Sequence, residues 1–208
     1  MAERERAARY KFEEDRERFI AARATLRQIL ARETGIPAAE LVIQDVDNRK
    51  PRLILPTDAA PPFFNVSHSG DHALIALSRD AEAGVDIEQI RPDCPVEDLA
   101  RRYYAPREYD WLRSLPLQRR IEAFYRLWTI KEAVLKCMGL GLSLPPASVQ
   151  VRLSPNRPPL ITCADAAAKN VEKLFVRELR VIHGYAAAVA VAAPDAEIVS
   201  APVPVRWH

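Results

Sequence analysis

The stretch that decides the fold is Trp128–Lys136, which has the sequence WTIKEAVLK and carries one carboxylate between two lysines. Apolar residues recur at helical spacing over residues 118–138, and two glycines follow, so the pattern predicts one long helix. Glu132 and Lys136 are four residues apart, and on an exposed helix they would form a simple ion pair. A helix this apolar has little free surface, however, and buried charges need partners. We therefore expect a metal ion at Glu132 and phosphates at Lys131 and Lys136.

A second stretch, Gly84–Glu88, has the sequence GVDIE and alternates as a strand does. Asp86 and Glu88 would leave the same face about 7 Å apart, while Val85 and Ile87 would point into the core. Such alternation is also the ordinary pattern of a half-buried strand with a solvated polar face. The sharper interpretation is that both acids bind one small divalent ion, because Mg²⁺ prefers one or two carboxylates together with phosphate oxygens and water. Three acids and two amines then indicate chemistry on a phosphate ester.

Polar residues between two predicted strands provide further candidates. The segment Asn65–Ser69 has the sequence NVSHS, and His68 within it would either hydrogen-bond the turn or, with Ser67, hold a phosphate. Lys50, next to a proline in a rigid turn, is a similar candidate. Arg18 on the first predicted helix is, taken by itself, an ordinary solvated charge. These residues add donors for a phosphate without identifying a ligand by themselves.

The order of the predicted elements indicates an internal repeat. A helix followed by a run of three strands occurs twice, with further helices between the two runs. The predicted helices cover residues 3–33, 96–103, 106 onward and 118–138, and the predicted strands cover 41–46, 63–67, 73–78, 83–88, 148–153, 161–163, 174–182 and 185–192. We therefore expect two pseudo-symmetric lobes, residues 1–95 and 96–208, joined in one integrated catalytic unit.

The composition narrows the class of protein. The chain has 208 residues, of which 28% are charged, and a net charge of only +2, so strong binding to nucleic acid is not expected. Its three cysteines are far apart and odd in number, which argues against a disulfide framework and a cysteine metal site. No signal-peptide pattern and no apolar run of membrane-spanning length occur, so we expect a soluble, cytoplasmic protein without membrane contact. Arginines crowd residues 101–126, as an ordinary charged surface or as a docking face for an acidic protein.

Taken in order, these segments resemble the 4′-phosphopantetheinyl transferase superfamily, in its larger two-lobe, Sfp-like branch. The matching segments are Lys50-Pro51, Phe64–Ser69, Gly84–Glu88, Trp128–Lys136 and Gly139–Pro145, supported by the late strand Gly184–Val191 and the helical segment Asp15–Arg27. Each motif alone is weak, but five in order across nearly the whole chain are specific. The resemblance implies an α+β fold with antiparallel-rich sheets and one long helix per lobe. Family members usually carry a further strand before the arginine-rich helix; here either the first lobe lacks that strand or the start of the sequence is truncated.

The resemblance also implies a reaction. Coenzyme A is cut at its pyrophosphate, and the 4′-phosphopantetheine arm moves to a serine of an apo carrier protein, leaving 3′,5′-ADP. Asp86, Glu88 and Glu132 would hold Mg²⁺ or Mn²⁺ on the pyrophosphate. Glu132 would also be the base for the serine hydroxyl, directly or through water, and Lys131 and Lys136 would hold the phosphates, with Lys136 taking part in catalysis. The nucleotide end of coenzyme A would contact Arg18, Lys50, Ser67 and His68.

These implications give one expected function and leave rivals. The expected partner is an acidic, helical acyl, polyketide or peptidyl carrier protein, and the chain is expected to act as a monomer. A catalytically degenerate coenzyme A-binding module would bind the ligand without transfer. A Mg²⁺-dependent pyrophosphate hydrolase would use the same acids with water as nucleophile and would consume coenzyme A without a carrier. A nucleic-acid-binding protein is disfavoured because acids interleave the arginines of residues 1–33 and leave a weak net field.

Overall fold

The computed structural model contains two long helices of 22 residues each, one in each of two compact units. The residues it describes are 2–44, 50–57, 59–155, 157–163, 165, 168 and 170–203. The compact units lie within Met1–Gln44, Leu53–Pro62 and Glu197–His208, and within Asp45–Arg52 and Phe63–Ala196. The predicted lobes 1–95 and 96–208 divide the chain by internal symmetry rather than by packing, and they stay a prediction.

The first unit begins with two helices where the sequence pattern predicts one continuous helix over residues 3–33. These are α1 (Ala2–Ala8) and α2 (Glu13–Thr34). The carboxylate of Glu3 on α1 pairs with Arg27 on α2 at 2.8 Å, although 24 residues of sequence separate them. A continuous helix would hold these residues about 36 Å apart, so the ion pair requires the chain to turn between the two helices.

Two short strands follow in this part of the chain. β1 (Val42–Gln44) pairs with β2 (Arg52–Ile54). β1 lies inside the strand predicted for residues 41–46, whereas β2 was not predicted. Its three residues are too few to show an alternating pattern. Residues 45–46 of that predicted strand and residues 47–49 of the predicted turn at 47–51 lie outside the described residues.

The second unit opens with an antiparallel hairpin of β3 (Phe63–Ser69) and β4 (His72–Ser78), joined by a two-residue turn. Gly70 begins this turn with φ 54°, a backbone angle that favours glycine. The sequence pattern predicts a polar link over residues 67–71, but β3 continues to Ser69. Its serines therefore lie on a strand and share the strand's period of two.

The remaining strands form two further antiparallel sheets. The strands are β5 (Ala83–Gln89), β6 (Val149–Arg152), β7 (Leu160–Cys163), β8 (Phe175–Glu178) and β9 (Tyr185–Val191). β6 pairs with β7, and the other three have the order β5-β9-β8. β5 is therefore an edge strand of its sheet. β8 stops at Glu178, short of the end at residue 182 that the pattern predicts.

The helices of the second unit are α3 (Val96–Tyr103), α4 (Pro106–Ser114) and α5 (Leu117–Met138). α5 packs directly on β5, because a Cβ added at Gly84 would lie 2.1 Å from the carbonyl oxygen of Ala133 and 2.3 Å from the nitrogen of Cys137. Only glycine allows this approach.

The helices together with the antiparallel sheets confirm the predicted α+β class. Among the described residues, no helix is long and apolar enough to cross a membrane.

Candidate active site

Polar side chains of β3 bind the free backbone N–H groups of the edge strand β5. Edge strands leave such groups unpaired, and buried N–H groups need acceptors. Three side-chain oxygens supply them at every second residue, in step with the period of both strands. The pairs are Asn65–Val85, Ser67–Ile87 and Ser69–Gln89, with oxygen-to-nitrogen distances of 2.9, 3.4 and 3.1 Å. We call these three contacts the polar seam.

Ser67 uses its whole hydrogen-bonding capacity inside the protein. Its hydroxyl donates to Asp86 Oδ1 at 2.8 Å and accepts from Lys136 Nζ at 3.1 Å and from the N–H of Ile87. A serine hydroxyl has one donor and two acceptor positions, and all three are filled. In this structure the Ser67 hydroxyl thus holds Asp86, and the role of Ser67 toward coenzyme A stays a prediction.

Ser69 repeats the arrangement one step along the strands. Its hydroxyl donates to Glu88 Oε2 at 2.7 Å while it accepts from the N–H of Gln89. Glu88 lies two residues beyond Asp86, so the two carboxylates leave the same face of β5, as the sequence pattern predicts. Each acid of the pair therefore has its own serine on β3.

Asp86 is buried rather than solvated, with 2% of its surface exposed. Lys136 Nζ on α5 pairs with its Oδ1 at 2.5 Å. Burial raises the pKa of Asp86, against the opposing effects of the Lys136 charge and of the hydrogen bonds from Lys136 and Ser67. The interpretation of this stretch as an ordinary strand with a solvated polar face is thus wrong for Asp86.

Glu88 and Glu132 belong to the same electrostatic cluster. Burial raises the pKa of Glu132; the Lys136 charge opposes this, and the charges of Asp86 and Glu88 raise it further. Burial likewise raises the pKa of Glu88, with Asp86 adding to the effect and Ser69 opposing it. Charges influence one another this way only when they are near. The structure therefore brings three predicted acids and one predicted lysine into one region.

The donor set of this region fits a divalent cation. Among the described residues, Asp86 Oδ2 is a buried oxygen without a hydrogen-bond partner, while Oδ1 is taken by Ser67 and Lys136. Carboxylate oxygens are the ligands that Mg²⁺ prefers. The acids do not form a ready-made metal cluster, since no three described Asp, Glu, His or Cys side chains are grouped closely enough to hold an ion. Lys136 supplies the positive charge beside Asp86 instead.

Lys131 lies in the interior and does not join this cluster. Its side chain is 0% exposed, and Nζ contacts Glu108 Oε2 at 2.8 Å and donates to the carbonyl oxygens of Pro146 (3.0 Å) and Val149. Three acceptors use all three hydrogens of an ammonium group. Burial lowers the pKa of Lys131, and the charge of Glu108 opposes that change. The expectation that Lys131 binds a phosphate is therefore corrected, because no hydrogen of its ammonium is left for a ligand.

The other predicted ligands lie at different places. His68 is exposed on β3, next to Ser67 in the chain. Lys50 is largely buried and pairs with Glu82 Oε2 at 2.6 Å, just before β5. Arg18 lies on α2 and pairs with Asp15 at 3.3 Å on the same helix. Neither of these two ion pairs belongs to the cluster of Asp86, Glu88, Glu132 and Lys136, and the roles of His68, Lys50 and Arg18 toward coenzyme A stay predictions.

Comparison with known proteins decides the family. Residues 82–190 match the family model described as the 4′-phosphopantetheinyl transferase superfamily, and residues 1–80 match the one described as 4′-phosphopantetheinyl transferase, N-terminal. The chain belongs to the 4′-phosphopantetheinyl transferase superfamily. The two matched segments together cover most of its length.

Several relatives in this superfamily are similar over much of the chain. The 4′-phosphopantetheinyl transferase HetI of Nostoc sp. is 37% identical, over 77% of this chain and 68% of its own length. A putative 4′-phosphopantetheinyl transferase of Synechocystis sp. is 40% identical, over 66% of this chain and 56% of its own. The 4′-phosphopantetheinyl transferase Sfp of Bacillus subtilis is 29% identical, over 92% of this chain and 81% of its own. The chain thus spans between about half and four fifths of these relatives.

Two solved structures are also similar. Holo-[acyl-carrier-protein] synthase of Thermotoga maritima aligns with 23% identity and a TM-score of 0.42, over 53% of this chain and 61% of its own. A holo-(acyl-carrier-protein) synthase of Bacillus anthracis, solved in complex with coenzyme A (3′,5′-ADP), aligns with 19% identity and a TM-score of 0.43, over 53% and 93% of the two chains.

Sequence reasoning missed two residues that contact the predicted ones, Ser69 and Glu108. Ser69 binds Glu88, a contact that needs the register of two strands about 20 residues apart. Glu108 is the buried partner of Lys131, and it also accepts from the N–H groups of Ala105 at 2.8 Å and Val151 at 2.7 Å. Glu108 lies three residues after Ala105, the N-cap of α4, which is the glutamate position of a capping box. That pattern predicts the contact with the N–H of Ala105 and not the contacts with Val151 and Lys131.

Proposed function

We propose that this chain transfers the 4′-phosphopantetheine arm of coenzyme A to a serine of an apo acyl, polyketide or peptidyl carrier protein, giving the holo carrier and 3′,5′-ADP. The observation that carries the proposal is the cluster of Asp86, Glu88 and Glu132 around Lys136, in a chain of this superfamily. Buried acids with raised pKa values in one region are typical of functional sites. The relatives named above carry the name of this activity.

The chemistry is a phosphoryl transfer between two oxygens. The serine oxygen of the carrier bonds to the phosphorus next to the pantetheine arm, and the bond from that phosphorus to the bridging pyrophosphate oxygen breaks. The electron pair leaves with 3′,5′-ADP, and the serine proton must be accepted. Such transfers depend mainly on positioning and on neutralising charge.

Glu132 is the proposed acceptor of the serine proton, directly or through water. Its half-buried carboxylate has a raised pKa because of burial, and a base is most effective when its pKa lies nearer the working pH than that of a free carboxyl group. Lys136, on the next turn of α5, is the proposed phosphate ligand. Its side chain is 27% exposed, unlike that of Lys131.

Asp86, Glu88 and Glu132 are the proposed ligands of Mg²⁺ or Mn²⁺. A bound divalent ion would offset the negative charge of the pyrophosphate during transfer. The buried, unpartnered Oδ2 of Asp86 among the described residues supports this assignment. His68, Lys50 and Arg18 remain the proposed contacts of the nucleotide end. In addition, we propose that the chain acts as a cytoplasmic monomer on an acidic carrier domain.

The test is intact-protein mass spectrometry of an apo carrier incubated with this protein, coenzyme A and Mg²⁺. The expected result is a mass gain of one phosphopantetheine arm, which is lost with EDTA and with Glu132→Gln. Coenzyme A bound without transfer to several carriers would instead indicate a binding module. Consumption of coenzyme A without a carrier would indicate a hydrolase.

A further inference from the structure

In the polar seam, the two serines of β3 also hydrogen-bond a carboxylate of β5, whereas Asn65 does not. Ser67 and Ser69 each accept from a backbone N–H of β5, at Ile87 and Gln89, and each donates to the acid that precedes that N–H. The backbone contact fixes the hydroxyl oxygen. The hydrogen that it donates therefore fixes the direction of one carboxylate.

The third contact has no acid to hold. Asn65 accepts from the N–H of Val85, and the residue before Val85 is Gly84. An amide oxygen can only accept, whereas a hydroxyl accepts and donates through one atom. A serine hydroxyl therefore lies opposite each carboxylate of β5, and the asparagine amide lies opposite Gly84. If these three side chains only held β3 against β5, each would need to accept a hydrogen bond from a backbone N–H, and none would need to donate one.

We propose that Ser69 is a positioning residue that aims the Glu88 carboxylate at the cation, as Ser67 aims that of Asp86. This inference rests on the proposed function, because the cation is that of the transferase. A neutral donor suits the task, since it orients a carboxylate without competing as a charge. The Ser67 hydroxyl also accepts from Lys136, whereas no lysine among the described residues hydrogen-bonds Ser69, so Ser69 gives the cleaner test.

The experiment measures Mg²⁺ binding by isothermal titration calorimetry, on the full chain with and without coenzyme A, together with the melting temperature. Removing a hydrogen bond that orients a metal ligand typically weakens metal binding by about 10- to 100-fold. We expect a loss of this size for Ser69→Ala and near-complete rescue by Ser69→Thr, which keeps the hydroxyl. Asn65→Ala is the matched control, because it removes a seam contact that touches no acid. It should lower the melting temperature and leave the Mg²⁺ affinity unchanged.

Three outcomes would overturn the inference. They are an Mg²⁺ affinity of Ser69→Ala equal to that of wild type, a loss of Mg²⁺ binding in Asn65→Ala as large as in Ser69→Ala, and a wild-type protein that binds no Mg²⁺. Failure of the proposed function is separable by the carrier assay. A wild-type protein that binds Mg²⁺ but modifies no carrier loses the transferase assignment, while a difference between Ser69→Ala and Asn65→Ala still supports the positioning role.

Discussion

Helix α5 carries two lysine–carboxylate pairs that differ in nearly every physical respect. Lys131 and Glu108 are 0% and 5% exposed, and backbone groups also hydrogen-bond the Lys131 ammonium and both oxygens of the Glu108 carboxylate. Lys136 and Asp86 are 27% and 3% exposed, and one carboxylate oxygen keeps no partner among the described residues. The first pair is complete, whereas the second can still bind something else.

This difference teaches that a shared motif does not give its members a shared role. Lys131 and Lys136 stand five residues apart, which turns them about 140° from each other around a helix. They cannot serve one ligand from one face. One joins α5 to the chain around α4 and β6, and the other faces the acids of β5. Lys131 and Glu108 form a structural pair, and Lys136 and Asp86 form a functional pair; substitutions in each pair test this division.

The largest effect is expected from breaking the structural pair. Lys131→Met leaves the Glu108 carboxylate buried without its cation, and removing one partner of a buried pair typically costs about 3–5 kcal/mol. We expect this loss in the free energy of unfolding, measured with urea at neutral pH. The double variant Lys131→Met/Glu108→Gln should recover part of it. A single variant as stable as wild type would contradict the structural role.

Lys136→Met should lower the activity strongly and the stability only slightly, the opposite of what we expect for Lys131→Met. Loss of one charge-stabilising donor typically lowers the rate by about 10²–10³-fold, and we expect this drop in the initial rate of carrier modification. The loss of stability should be smaller than for Lys131→Met, because Asp86 keeps the hydrogen bond from Ser67. Lys136→Arg, which keeps the charge, is the control. Full activity of Lys136→Met would end its assignment as a phosphate ligand.

Gly84→Ala should disturb the functional pair from its other side. The added methyl meets the backbone of α5, which cannot rotate away, and overpacking of this kind typically costs about 1–3 kcal/mol. We expect a lower melting temperature, and a transfer rate that stays low below that temperature because Asp86 moves relative to Lys136. Unchanged melting and unchanged activity together would show that β5 and α5 do not pack this closely.

The smallest effect concerns pH. Burial raises the pKa of Glu132 above its ordinary 4.5, so the folded protein binds its proton more tightly than the unfolded chain does. Stability from this group is present at low pH and is lost as pH rises through the raised pKa. Metal-free Glu132→Gln should therefore be more stable than wild type at about pH 8, by on the order of 1 kcal/mol. Thermal unfolding with EDTA at several pH values measures this, and a lower stability of Glu132→Gln at high pH would contradict it.

The sequence predicts the cluster's members better than their surroundings. Strand and helix periods, which are local, put Asp86 and Glu88 on one face of a strand and Glu132 one turn from Lys136 on a helix. The resemblance to the superfamily, rather than these periods, implies that the three acids act together. The break between α1 and α2 was not predicted, and it brings together Glu3 and Arg27, which are 24 residues apart in the sequence. The sequence does show that Lys131 and Lys136 point in different directions from the helix. It does not show that Glu108 is the buried partner of Lys131.

The contacts that link every second residue of β3 to every second residue of β5 have a consequence for how the chain tolerates insertions and deletions. Because side chains on a strand alternate, moving β3 by one residue along β5 would turn Asn65, Ser67 and Ser69 away and present Val66 and His68 instead. A single residue inserted within β3 would therefore turn the serines away from β5 and remove the hydrogen bonds to Asp86 and Glu88 together. An extra residue in the link between β4 and β5 leaves that parity intact, so length variation among relatives should collect there and avoid β3.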